Sequence, residues 1–114
     1  MTNIETYSVT YVTTPNYDLA HDISQKLVKE NLAACVNIIP KIKSIYKWKG
    51  IIQEDEEYFM IIKSKNSLFN EMSECIKNMH PYDTPEIISL PITNGHKEYL
   101  NWIEASLSTG KEKS

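Results

Sequence analysis

Few side chains in this sequence could do chemistry, and they are widely spaced. A thiol at Cys35, an imidazole at His80 and a carboxylate at Glu86 are groups that can ligate a metal ion or move a proton. Cys35 lies in the apolar run "LAACVNI", and free cysteine is among the most buried residue types. His80 follows a helical pattern, where an imidazole can interact with the helix dipole. Metal binding and a structural role therefore both remain open for Cys35 and His80.

No catalytic motif is recognisable in the sequence. It contains no nucleophile elbow, no HExxH zinc motif and no P-loop, and it has only three glycines. All 12 basic residues are lysines, so no guanidinium is present to cradle a phosphate. We therefore expect that the protein is not an enzyme.

The composition is typical of one globular domain. The chain has 114 residues, of which 41% are hydrophobic and 24% charged, and its net charge is -3. We expect a single domain over residues 1–114, with a core at about 4–107 and a polar tail at 108–114. Two cysteines are too few for a disulfide scaffold, and the sequence shows neither a signal-peptide pattern nor an apolar run long enough to span a membrane. These features favour a cytoplasmic protein without a membrane partner.

The apolar periodicity predicts the order β-α-β-β-α-β, followed by a short C-terminal helix. Strands are predicted at 5–14, 32–50, 57–64 and 86–92, and helices at about 16–31, 66–79 and 96–107. Thr14 is the predicted cap of the first helix, and "IIQEDE" (51–56) is predicted to be a turn. The acidic run from Glu54 to Glu57 is expected to lie in solvent. This is the split βαβ pattern of ferredoxin-like α+β domains, in which a four-stranded antiparallel sheet carries helices on one face.

The stretch "KIKSIYKWKG" (41–50) is unusual in an acidic protein. If it is extended, its lysines share one face with Ile45. The opposite face then carries Ile42, Ser44, Tyr46 and Trp48. Single-stranded nucleic acid is bound by a basic groove and stacking aromatic rings together, whereas here the two point in opposite directions. The net charge is -3, whereas nucleic-acid-binding domains are usually strongly basic. We therefore expect no nucleic-acid partner.

The same strand is too long for a domain of this size. From Ala34 to Trp48 it would extend about 50 Å, whereas a domain of this length has a radius of gyration of about 13 Å. It must therefore bend or overhang, and Pro40 is the expected place for a bend because proline cannot donate to a ladder. An overhanging half leaves unpaired backbone and an aromatic face that need a partner. We predict that it is an oligomerisation arm, with Tyr46 and Trp48 in the interface between copies.

Several segments, in order along the chain, resemble the CutA divalent-cation tolerance family. They are "LAACVNI" (32–38), Pro40, "SIYKWKG" (44–50), "HPYDTPEI" (80–87) and "YLNWI" (99–103). The resemblance implies a ferredoxin-like homotrimer in which long strands pair between subunits. It also implies a role in the tolerance of copper and other divalent cations.

The resemblance further implies a copper site. Some bacterial members of the family are assigned two cysteines and a histidine as copper ligands. Cys35 occupies one of these positions, Thr13 and Met79 occupy the other two, and the adjacent His80 is retained. A trio of Cys35, Met79 and His80 suits Cu(I) by ligand type, whereas a threonine hydroxyl is a weak donor for copper. We therefore expect weak copper binding, mainly through Cys35.

A second functional hypothesis concerns clefts between the subunits of such a trimer. Glu86 opens the fourth strand close to Tyr82, and Lys63, at the end of the third strand, is expected to face it. These three residues would line an intersubunit cleft that binds a small effector, similar to trimeric signalling proteins of the PII type. Binding of an anionic metabolite there would favour this alternative.

Overall fold

The computed structural model describes residues 6–108 of the 114-residue chain. Along this range the elements are β1 (Tyr7–Thr14), α1 (Tyr17–Lys29), β2 (Cys35–Trp48), β3 (Ile51–Lys65), a 3-10 turn (Asn66–Leu68), α2 (Phe69–Met79), β4 (Ile87–Pro91) and α3 (Lys97–Ser106). This order confirms the predicted α+β, ferredoxin-like pattern with a C-terminal helix. The second helix begins three residues later than predicted, because the chain first makes the 3-10 turn.

The four strands form one antiparallel sheet in the order β2-β3-β1-β4. Its two faces differ, and we call them the helix face and the open face. The helix face packs against α1 and α2 to form the main core, which contains Val12, Ala20, Ile23, Leu27, Met60, Ile62, Met72 and Ile76. Alternation along each strand places the intervening side chains on the open face.

The first helix is capped by Asn16, not by Thr14 as predicted. The side chain of Asn16 accepts a hydrogen bond of 2.8 Å from the Leu19 amide. Thr14 supports this cap, since its hydroxyl donates to the Asn16 carbonyl at 2.8 Å. The predicted position was wrong because Pro15 lies before the helix, so the capping residue is the one that follows it.

The predicted turn at 51–56 is wrong, since these residues belong to β3. The reversal between β2 and β3 needs only Lys49 and Gly50, which have φ angles of 51° and 79°. Two successive residues with positive φ form the tight hairpin turn whose twist matches that of the strands. The acidic run from Glu54 to Glu57 therefore lies in a strand, with alternate side chains on opposite faces.

A bulge interrupts the pairing of β2 with β3 at Pro40 and Lys41, where a bend was expected. Ile39 pairs with Phe59 and Ile42 pairs with Glu57, so three steps along β2 match two along β3. The extra residue reverses the alternation. As a result, the open face carries both the side chains before the bulge and those after it: Cys35, Asn37, Ile39, Ile42, Ser44, Tyr46 and Trp48.

Beyond the bulge, residues 42–57 form a two-stranded ribbon that we call the arm. No helix of the described chain packs on it, and Ile45, Trp48, Ile51 and Ile52 are all at least 60% exposed. The radius of gyration is 15.2 Å, above the about 13 Å typical of a compact domain of this length. The predicted overhang of the long strand is therefore confirmed.

The C-terminal helix packs at the opposite end of the sheet. Ile103 and Leu107 form a small second core with Ala34. Glu104 accepts hydrogen bonds from Tyr7 and Lys65, at 3.2 and 3.0 Å. None of the helices in the described range combines the length and the apolar character needed to cross a membrane.

Candidate functional site

His80 is held by its own chain. Its imidazole is 8% exposed, and its backbone caps the C-terminus of α2. Nε2 donates to the Thr13 carbonyl at 2.8 Å, and Nδ1 accepts from the Tyr82 amide at 3.2 Å. Because both ring nitrogens are used, the imidazole has no free lone pair for a metal ion. It ties the end of α2 to β1 and to the loop that follows.

The structure does not bring Cys35 and His80 together within one chain. Cys35 pairs with Lys63 on β3, whereas Thr13, which holds the His80 ring, pairs with Phe59. Four residues along β3 separate these positions by about 13 Å. Across residues 6–108, no group of three or more histidine, cysteine or acidic side chains is arranged to hold a metal ion.

The thioether of Met79 and the thiol of Cys75 are partly buried at the edge of the core. Met79 packs against the main core cluster, as does Cys75 on the same helix. Burial, followed by the nearby Glu30 carboxylate, raises the pKa of the Cys75 thiol. Cys35 is a free, half-buried thiol on the open face. Among the predicted copper ligands, Cys35 is therefore the half-buried donor that lies on the open face, whereas Met79 packs against the core.

A cleft of about 610 Å³ lies where the loop after His80 meets the start of the arm. Its walls include three aromatic rings and three carboxylates: Tyr46, Trp48, Tyr82, Glu57, Asp83 and Glu86. The structure thus brings the predicted cleft residues Tyr82 and Glu86 together with the predicted interface residues Tyr46 and Trp48. We call this feature the arm cleft.

The most buried carboxylate of the arm cleft is Glu57, so the expectation that it lies in solvent is wrong. Glu57 is 7% exposed, and its two oxygens accept hydrogen bonds from the hydroxyls of Ser44, at 2.7 Å, and Tyr82, at 3.0 Å. The Tyr82 ring also lies 4.6 Å from the His80 ring. A signal for Glu57 existed, since it shares a two-residue period with Phe59 and Ile61 on the open face.

Both tyrosine hydroxyls of the arm cleft act as donors to carboxylates. Burial, and then the hydrogen bond to Glu57, raises the pKa of Tyr82 to about 12. The hydrogen bond that Tyr46 donates to Asp55 raises the pKa of Tyr46. Since both phenols stay protonated near neutral pH, they add no negative charge to the cleft.

Lys63 does not face Glu86 within one chain, so its expected place in a cleft between subunits stays a prediction. The Lys63 ammonium donates to the side-chain amide of Asn37 on the open face. Glu86 directly precedes Ile87. Ile87 and Met60 both pair with Val12 of β1, from its two sides, so they lie at the same level of the sheet. Three residues along β3, about 10 Å, separate that level from Lys63. Lys63 can reach an arm cleft only if it belongs to another copy of the chain.

Comparison with known proteins identifies the family. The sequence pattern of the family described as "CutA1 divalent ion tolerance protein" matches residues 8–106. The chain is 48% identical over 96 residues to a CutA homolog of Xenopus laevis, an alignment that covers 84% of this chain and 64% of that protein. It is 44% identical over 95 residues to the divalent-cation tolerance protein CutA of Thermus thermophilus, covering 83% and 92% of the two chains. This chain belongs to the CutA1 family.

The solved structure of CutA from Archaeoglobus fulgidus gives the same fold. It superposes with a TM-score of 0.87 at 40% identity, covering 90% of this chain and 99% of that one. That protein is described as a periplasmic divalent cation tolerance protein. The present CutA chain spans only 54% to 64% of the length of the frog, mouse and Arabidopsis relatives.

Proposed function

We propose that this CutA protein acts as a homotrimer in the tolerance of divalent metal ions, and that it binds copper weakly through Cys35. The observation that carries the proposal is the family match over residues 8–106, which includes the arm and all of the sheet except Tyr7. The half-buried thiol of Cys35 on the open face adds a soft donor of the type that Cu(I) prefers. With Met79 in the core and His80 bonded at both nitrogens, few further donors are at hand, which favours weak binding.

Assembly into a trimer is supported by the arm and the open face. The arm exposes Tyr46 and Trp48, and the open face of the sheet exposes Ile39, Ile88 and Leu90. Several large exposed apolar side chains on one side of a sheet are typical of a face that another subunit covers. We further propose that the protein associates with itself and lies in the cytoplasm. We also propose that it has no catalytic activity and binds neither nucleic acid nor membranes. Cell fractionation tests the location, which matters because the archaeal relative is described as periplasmic.

A titration with Cu(I) tests the copper site. The wild type and the variants Cys35→Ala and Cys75→Ala are titrated anaerobically against a competing Cu(I) chelator. We expect Cys35→Ala to lose most of the copper uptake and Cys75→Ala to keep it, because the Cys75 thiol packs against the core and its pKa is raised by burial and by Glu30. If wild type and Cys35→Ala hold copper equally, the site does not exist.

A second candidate function is the binding of a small effector in the arm cleft, in the manner of PII-type signalling trimers. The observation that favours it is the cleft of about 610 Å³, with Glu57 fixed by two hydroxyl donors. The charge of the cleft, however, does not suit the anionic effector that was expected. An anionic metabolite would meet Glu57, Asp83 and Glu86, so the lining supplied by one chain disfavours it.

A further inference from the structure

The loop between β4 and α3 contains the dipeptide Asn94-Gly95, which is exposed together with Thr93 and His96. We propose that Asn94 is a site of spontaneous deamidation, and that the isoaspartate formed there loosens the start of α3. The reaction needs no enzyme, because the nucleophile belongs to the chain and the second reactant is water. The inference is independent of copper binding and of the arm cleft, since the loop lies at the other end of β4 from that cleft.

The two residues supply the atoms that the reaction needs. The backbone nitrogen of Gly95 attacks the side-chain carbonyl carbon of Asn94 and forms a C–N bond, while the side-chain nitrogen leaves as ammonia with the proton of the Gly95 amide. Water then adds to the resulting five-membered imide and breaks one of its two ring C–N bonds. Cleavage at the side-chain carbonyl gives aspartate, and cleavage at the backbone carbonyl gives isoaspartate. Each product carries one more negative charge than asparagine, and no oxidant or reductant is involved.

Neither reacting group is held by another part of the chain. Within residues 6–108, the side chain of Asn94 and the backbone amide of Gly95 have no hydrogen-bond partner. On either side of them the backbone is bonded: the Ile92 amide donates to β1, and the His96 carbonyl accepts from the first turn of α3. The rotation that brings the Asn94 carbonyl carbon to the Gly95 nitrogen therefore breaks no hydrogen bond of the described chain.

Packing at the start of α3 explains why a glycine occupies position 95. A Cβ atom there would lie 3.0 Å from the side chain of Leu100, closer than such contacts ordinarily are. Leu100 packs in turn against the small second core that contains Ala34 and Ile103. A side chain after an asparagine shields the backbone nitrogen from attack, and glycine has none. The packing of α3 thus requires the residue type that leaves this nitrogen open.

Isoaspartate at position 94 would disturb the same contact. It continues the chain through its side chain and so adds one carbon atom to the backbone before Gly95, which displaces Gly95 from its place against Leu100. His96, the N-cap of α3, makes no side-chain capping bond that would hold this end of the helix. Aspartate keeps the ordinary backbone, and its negative charge near a helix N-terminus is favourable. We therefore expect only the isoaspartate form to loosen α3.

Incubation of the assembled protein at mildly alkaline pH, followed by peptide mass mapping, tests the site. We expect the peptide with Asn94 to gain the mass of an amide-to-acid change, with isoaspartate identified by electron-transfer fragmentation. Asn66 is the matched internal control, since it is also exposed and precedes a small residue, Ser67. Its backbone amide and carbonyl are bonded to Thr6 and Phe69, which restrains the rotation. Asn94 should convert at least about tenfold faster than Asn66, because glycine and a free backbone both favour the attack.

Two variants test the effect on the helix by hydrogen exchange of the α3 amides. Asn94→Gln has a longer side chain that does not form the five-membered ring, so it should not change on incubation. Asn94→Asp supplies the aspartate product with an ordinary backbone. We expect faster exchange in the first turn of α3 in incubated wild type, and no change in incubated Asn94→Gln or in fresh Asn94→Asp.

Three results would each count against the proposal. Equal conversion at Asn94 and Asn66 would show that the loop confers no particular reactivity. Conversion of Asn94 in the urea-unfolded chain but not in the assembled protein would show that another subunit covers the loop. Unchanged exchange of α3 after isoaspartate has formed would refute its effect on the helix. The incubated protein should take up Cu(I) as before, which separates this test from the test of copper binding.

Discussion

The strand β3 runs through two regions of the molecule that differ in what covers them. Its second half, residues 58–65, lies in the sheet beneath the helices, and its first half, residues 51–57, forms one side of the arm. Ile62 and Ile52 lie ten residues apart and belong to the same face, yet Ile62 is 0% exposed and Ile52 is 67% exposed. The first half pairs only with β2, whereas the second half pairs with β1 as well and lies beneath the helices, so the two isoleucines differ in what surrounds them.

This contrast shows that hydrogen bonding alone does not stabilise the arm. The core half of the sheet removes apolar side chains from water, which is the main favourable term in folding. The arm has the backbone hydrogen bonds between β2 and β3 but buries few apolar side chains. An isolated two-stranded ribbon is marginally stable at best in water. Its ion pair between Lys43 and Glu54 is exposed and adds little. The arm therefore needs another surface, which self-association would supply.

The largest expected effect is on assembly. Native mass measurement should give three chains at micromolar concentration, independent of salt and of reductant, because the proposed interface is mainly apolar. Trp48→Ala, which removes an aromatic ring that is 60% exposed in the single chain, should cost about 2 kcal/mol or more of association free energy if it is an anchor.

The control for this assembly test is Tyr17→Ala. It removes an exposed ring from α1, on the side of the molecule away from the open face, and should leave the mass unchanged. A stable single chain for the wild type would refute the trimer. A trimer that tolerates Trp48→Ala would show that the arm is not its principal contact.

The next effect in size concerns the matched isoleucines of β3. Ile62→Ala opens a cavity in the core and should lower the free energy of unfolding by about 2–5 kcal/mol. Ile52→Ala acts at an exposed site and should change it by less than about 0.5 kcal/mol. Denaturant unfolding of both variants at one protein concentration gives the comparison. If the two costs are similar, this face of the arm is also covered in the assembly.

The regular part of the fold could be predicted because local pattern and tertiary packing agree there. The predicted first helix packs Ile23 and Leu27 into the core, and the side chains of Tyr46 and Trp48 share the predicted face of β2. The length of that strand correctly indicated an overhang, and Pro40 marked the bulge. In these segments the spacing of the apolar residues indicates both the type of secondary structure and which of its sides is buried.

The errors arose where pairing, not composition, decides the structure. The acidic segment 54–57 looks like a turn, yet it extends β3 because Lys49 and Gly50 close the hairpin in two residues. Glu57 was consequently missed as the buried carboxylate of the arm cleft. The cleft itself joins two segments about 25 residues apart, and only the fold brings them together.

The smallest expected effect concerns the hydroxyl of Tyr82 and its dependence on pH. Burial and the bond to Glu57 raise the pKa of Tyr82 to about 12 in the folded chain, against about 10 for an unperturbed tyrosine. Below about pH 10 the phenol is protonated in both states, and its hydrogen bond contributes fully to stability. Between about 10 and about 12 the unfolded chain releases the proton while the folded chain keeps it, so this contribution falls as the pH rises.

Tyr82→Phe should therefore be less stable than the wild type at pH 8, by about 1 kcal/mol, because one oxygen of the buried Glu57 loses its donor. The difference between the two proteins should shrink as the pH is raised through about 12, where the wild-type hydroxyl ionises beside Glu57. Urea unfolding at a series of pH values measures both curves, and Tyr17→Phe, at an exposed ring on α1, controls for the loss of a hydroxyl. A constant gap between wild type and Tyr82→Phe up to the highest pH would show that the Tyr82 proton is not linked to folding. The contact with Glu57 would then be no more than a surface hydrogen bond, and the arm cleft would lack the fixed wall on which its contrast with the rest of the arm depends.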